Sequence, residues 1–114
     1  MSKARGAQAE ALAAAFLERQ GVRIIDRNWR CRFGELDLVG QDGDTIVIVE
    51  VRLRSLSRFG GAAESIDRRK QARLTAAAQL YLARRRSAPC RFDAVLLGDA
   101  GGSDIQWIKN AFIT

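Results

Sequence analysis

Apolar positions along the chain change period three times, and each change separates a helix from a run of strands. Ala9, Leu12, Ala13, Phe16 and Leu17 fall on one stripe of a 100° wheel. That spacing predicts a first helix from Ala4 or Gly6 to Gln20, with Gly21 as its left-handed stop and Glu10 at the stripe's edge beside Leu17. The period then falls to two. "VRIIDRNW" (22–29), "FGELDLVG" (33–40) and "TIVIVEVRLR" (45–54) read as strands, and the Asp42-Gly43 pair between the last two signals a tight hairpin. Helical spacing returns in residues 65–86 through Ile66, Leu74, Ala77, Ala78 and Tyr81, with Ser65 as N-cap and Pro89 beyond the end. "CRFDAVLLG" (90–98) and "IQWIKNAF" (105–112) are the fourth and fifth strands. The order α-β-β-β-α-β-β predicts an α/β sandwich, a mixed central sheet flanked by helices.

Charge interrupts this pattern in one place. On the third strand Thr45, Val47, Val49, Val51 and Leu53 make one apolar face, while the other carries Ile46, Ile48, Glu50 and Arg52. On the second strand Leu36 and Leu38 are expected on one face and Glu35, Asp37 and Val39 on the other. A two-residue turn centred on Asp42-Gly43 sets Glu35 opposite Glu50; a loop two residues longer sets Asp37 there. Directly opposed Cβ atoms lie about 5 Å apart, so either register crowds carboxylates. Like charges that close raise one another's pKa or demand a cation. A divalent ion on Asp37 and Glu50, Mg2+ or Mn2+, would supply it, because those ions prefer oxygen ligands. The competing reading is a solvated sheet face with Arg52 pairing Glu35 or Glu50. By spacing alone the two weigh evenly, but Val39, Ile46 and Ile48 on that face require cover.

Composition adds a bias toward polyanions. The 114 residues carry 19 Lys and Arg against 13 Asp and Glu, a net charge of +6, which favours nucleic acid, then an anionic surface. Arg52, Arg54 and Arg58 follow the carboxylates. Arg68, Arg69, Lys70 and Arg73 crowd the start of the second helix, where cations oppose the dipole. Residues placed against local preference suggest phosphate binding, although a solvated basic face is the alternative. Arg84 to Arg86 lie at that helix's C-terminus, where the dipole favours them. The absence of histidine excludes the Ser-His-Asp triad and His-dependent zinc sites. Cys31 and Cys90 read as free thiols of a reducing cytoplasm. "ALAAAFL" is bracketed by Glu10 and Glu18-Arg19, an amphipathic helix rather than a leader, and nothing approaches a membrane span. Length and composition suit a single domain, 1–114. Trp29 and Trp107 are expected in the core.

"FGELDLV", "VIVEVRLR", "FGGAAESIDRRKQARL", "CRFDAV" and "IQWIKNAF", in that order, resemble the YraN-like family of uncharacterised bacterial proteins across nearly the whole chain. That family is similar to the archaeal Holliday-junction resolvases and so to the restriction-endonuclease-like superfamily, whose metal motif is an Asp on one strand and Glu-x-Lys on the next. The resemblance implies a restriction-endonuclease-like sandwich and metal-assisted phosphodiester hydrolysis. It assigns Asp37, Glu50 and the Val51 carbonyl to Mg2+ or Mn2+, and matches Glu10 to an acidic residue on the first helix. Glu10 or Glu35 would complete the metal shell or take a proton from water, and Gln71 would reach in from the second helix. Arg52 stands where the motif has Lys; it does not lose its proton and so clamps phosphate rather than acting as base. The alternative is a nucleic-acid-binding module that kept the fold and lost cleavage. The expected partner is nucleic acid, DNA first, with no membrane; symmetric cutting of two strands would require a homodimer.

Overall fold

The computed structural model describes residues 3–53, 66–85, 88–98 and 104–112. Helix α1 (Lys3–Arg19) ends at Gly21, whose φ of 93° is the left-handed stop expected of glycine there. Strands β1 (Arg23–Cys31), β2 (Gly34–Asp42) and β3 (Thr45–Leu53) form an antiparallel meander. Helix α2 (Arg68–Leu82) carries the chain to β4 (Cys90–Leu97), which pairs parallel with β3, and β5 (Ile105–Phe112) returns antiparallel along β4. The result is one mixed sheet in the order β1-β2-β3-β4-β5.

Each helix covers one face of that sheet, because β3 is apolar on both. Toward α1, Ala9, Ala13 and Leu17 pack on Leu38, Val47, Val49 and Val51; toward α2, Leu74, Ala77, Ala78 and Tyr81 pack on Ile46, Ile48 and Leu96. Gly40 is required on the α1 side, since a Cβ there would sit 2.7 Å from Val22 Cγ1. Trp29 meets Tyr81 edge-on and Trp107 meets Phe16 edge-on, both as partly buried core residues.

Three expectations are corrected. The hairpin turn is Gly43-Asp44, not Asp42-Gly43: Asp42 pairs with Thr45, and Gly43 supplies the positive φ (62°). The register thus moves by two residues and keeps its parity. Helix α2 is capped by Asp67, whose Oδ1 accepts from the Lys70 N–H at 2.8 Å; the expected cap, Ser65, lies outside the described residues, as do Arg54, Arg58 and Arg86.

The third correction matters for function. Leu36 and Leu38 do not share a face: Leu36 packs toward α2 and Leu38 toward α1. The same break runs through β1, where Arg27 reaches Glu18 of α1 while Trp29 packs on Tyr81 of α2. Between them Asn28 adopts φ 51°, a left-handed conformation in mid-strand. The β1–β2 register is the same on either side of it, Arg27 with Leu38 and Trp29 with Leu36. Both strands therefore swivel together at Asn28 and its neighbour Asp37, and side-chain alternation restarts out of phase.

Candidate metal centre where β2 and β3 part

Backbone pairing of β2 with β3 runs from Asp42–Thr45 to Leu38–Val49. Extending that register sets Asp37 opposite Glu50, but here the Asp37 side chain takes the backbone's place: its Oδ2 accepts from the Val51 N–H at 3.0 Å. Val51, expected to contribute its carbonyl, enters the site through this amide.

Glu50 is buried and follows Ile48 toward α2. Its Oε1 lies 3.0 Å from Lys70 Nζ and 3.5 Å from Arg52 Nε. The Arg52 contact is an ion pair that misses hydrogen-bond geometry, so Nε is buried with no acceptor.

Asp37 is half-buried with acids on several sides. Burial first, and then the Glu50 charge, pushes its carboxyl up to about 8; the Val51 amide opposes this and Glu10 adds to it. Glu10, reaching across from α1, is itself raised, by burial and then by Glu35, against the Asn28 amide. With its nitrogen turned to these acceptors, Asn28 lies 2.9 Å from both Glu10 Oε1 and Glu35 Oε1. Arg30 Nε holds the other Glu35 oxygen at 2.9 Å. Glu10, Glu35 and Asp37 each present an oxygen within 4.8 Å of the others.

Asp93 shows a buried carboxylate that the fold does satisfy. It accepts from Arg91 Nε, Trp107 Nε1 and the Asn110 amide at 2.9 to 3.1 Å. Asp37 accepts from the Val51 amide and has carboxylates for its other neighbours, the arrangement of a site that takes a cation rather than of a core.

The acids open into a cleft of about 250 Å³. Phe33, Glu35, Asp37 and Glu50 form one side, and Lys70, Arg73 and Leu74 of α2 form the other. Of the residues expected to meet phosphate, Lys70 and Arg73 line this cleft. Arg68 and Arg69 are exposed on the first turn of α2, outside its walls. Gln71 is occupied in the backbone, donating Nε2 to the Ile66 carbonyl at 2.9 Å. Sequence reasoning missed Asn28; its signal was an asparagine amid strand formers, the non-glycine type most at home in the left-handed region.

An α/β sheet with a carboxylate cluster in a cleft, facing Lys70 and Arg73 of a covering helix, is the class that fold and site define. The description "Uncharacterised protein family UPF0102" matches residues 9–97, from just before Glu10 to the end of β4. Relatives carry the likeness over nearly the full length. UPF0102 proteins of Nitrosomonas eutropha and Methylobacillus flagellatus are 53% and 54% identical, over 97% and 96% of this chain and 95% and 97% of theirs. That of Pseudomonas savastanoi pv. phaseolicola is 54% identical over 94% of this chain and 91% of its own. The chain belongs to the UPF0102 family, the YraN-like family whose motifs it resembles.

Proposed function

We propose that this protein is a divalent-metal-dependent endonuclease that hydrolyses phosphodiester bonds, with branched DNA such as a Holliday junction as its substrate. One observation carries the reading. Asp37, flanked by Glu10, Glu35 and Glu50, sits where burial and neighbouring charge push its carboxyl up to about 8, beside a cleft walled by Lys70 and Arg73. The donor set fits Mg2+ or Mn2+: carboxylate oxygens converging to within 4.8 Å, with no soft ligand among them. A bound ion would supply Lewis-acid charge and a water of lowered pKa.

The chain's own groups have distinct parts. Asp37, Glu10 and Glu35 hold the ion, and Glu50 joins them while Lys70 and Arg52 keep it oriented. Arg73 and Lys70 face the cleft and meet the phosphate. Arg52 contributes positive charge beside Glu50. The choice of branched DNA rests on the resemblance to junction resolvases.

Cleavage of junction, duplex and single-stranded DNA with Mg2+ or Mn2+ tests the reading. The expected result is cutting by the native protein and loss of cutting in Asp37→Ala and Glu50→Ala with the fold retained. Calorimetric titration with Mn2+ should show binding that Asp37→Ala removes. The second reading, a non-catalytic nucleic-acid-binding module, is favoured by Arg52 in the lysine position. DNA binding without metal and without cleavage of any substrate would establish it.

A further inference from the structure

The proposed reaction uses the cleft between α2 and strands β2 and β3 and leaves the outer edge of the neighbouring strand β1 without a role. We infer that this edge and the turn that follows it, from Arg27 through Arg30 to Arg32, form a second phosphate track that holds the nucleic-acid strand as it leaves the acidic cluster. The inference rests on the nucleic-acid reading above and extends it to the path of the substrate.

β1 is an edge of the sheet; its Arg27 and Arg30, and Arg32 in the turn just beyond it, are exposed. In a regular strand residues 27 and 30 would face opposite ways. The swivel at Asn28 puts both on the α1 side, Arg27 against Glu18 and Arg30 against Glu35, in line with Glu10.

Arg30 is fixed at Nε, 2.9 Å from Glu35, yet its side chain is 76% exposed, so the rest of the guanidinium faces solvent beside the metal centre. Arg32 lies over the Phe33 ring, 4.8 Å from its centroid, and Phe33 lines the cleft. Arg27 meets Glu18 only at 4.0 Å with both half-exposed, a weak pair that a phosphate can displace. Guanidinium groups held at one end and open at the other suit bidentate phosphate binding.

Five residues of chain reach at most roughly 17 Å when fully extended, and one strand of duplex DNA carries a charge every ~3.4 Å along its axis. The track therefore reaches up to about five phosphates along the β1 edge, while Lys70 and Arg73 serve the cleft. Arginines on an edge strand also discourage edge-to-edge pairing, but that role makes no demand on DNA binding.

Fluorescence anisotropy with a labelled four-way junction, in EDTA so that nothing is cut, separates these roles. The series compares native protein, Arg27→Ala/Arg30→Ala/Arg32→Ala and the corresponding triple lysine variant, all checked for native circular dichroism. Each lost phosphate contact lowers the slope of log K against log salt by about 0.9. The alanine variant should lose about two to three units of slope, and the lysine variant should keep the native slope. Native binding with an unchanged slope in the alanine variant overturns the track and leaves the proposed function standing. Native protein that binds no DNA overturns both.

Discussion

Asp37 has one backbone amide for support and carboxylates for company, and its behaviour follows from that imbalance. Its folded pKa of about 8 stands above the ordinary 3.8, so between those values the native state holds a proton that the unfolded chain has released. Stability therefore falls as pH rises through that window. The metal-free protein should melt several degrees lower at pH 8 than at pH 5, and Asp37→Asn should flatten the dependence and melt higher at pH 8, about 4 °C or more for each kcal/mol recovered. Thermal scans across pH check both. Mn2+ should raise the melting temperature of the native protein at pH 8 and leave Asp37→Asn unmoved. Lys70 acts in the opposite sense: removing it leaves the buried Glu50 with only the poorly aligned Arg52. Lys70→Ala should cost roughly 1–3 kcal/mol in urea denaturation, because Glu50 loses its closest cation.

At the scale of elements the swivel in β1 and β2 decides which groups meet. Asn28 holds φ 51° in mid-strand and spends its amide on Glu10 and Glu35. Asn28→Gly keeps that backbone and loses only the amide, whereas Asn28→Val opposes a conformation that β-branched residues avoid. Urea titrations should show the valine variant destabilised by about 1–3 kcal/mol and the glycine variant by less. Most of the architecture was legible beforehand. Seven elements in order, the α1 and α2 stripes and the two apolar faces of β3 all follow from period. The meeting of Asp37 with Glu50 was legible as one of two registers, and parity alone could not choose between them. The split between Leu36 and Leu38 was not legible, because alternation is a rule for uninterrupted strands and the interruption depends on a backbone angle at Asn28. Lys70 beside Glu50 was hidden for another reason: a helix and a strand far apart in sequence set that contact.

Taken whole, the molecule places acids between two basic surfaces, α2 on one face of the sheet and the β1 edge on the other, within a chain of net charge +6. No helix among the described residues is long and apolar enough to cross a membrane. The described residues hold one acidic centre, so the proposed activity, cutting a junction symmetrically, requires two copies. Paired cuts on a four-way junction should appear only at protein concentrations where a dimer sediments with the DNA, while nicking of a single strand should persist below them. Analytical ultracentrifugation alongside the cleavage assay checks this.

The contact between Asp37 and the Val51 amide gives the protein a native gauge of its own centre. That N–H, where β2 and β3 have parted, is shielded by a side chain instead of a neighbouring strand. Deuterium uptake at this single amide should therefore follow the carboxylate: fast in Asp37→Ala, slow in Glu50→Ala, and altered by any ligand that draws Asp37 outward, all without a label or a substrate.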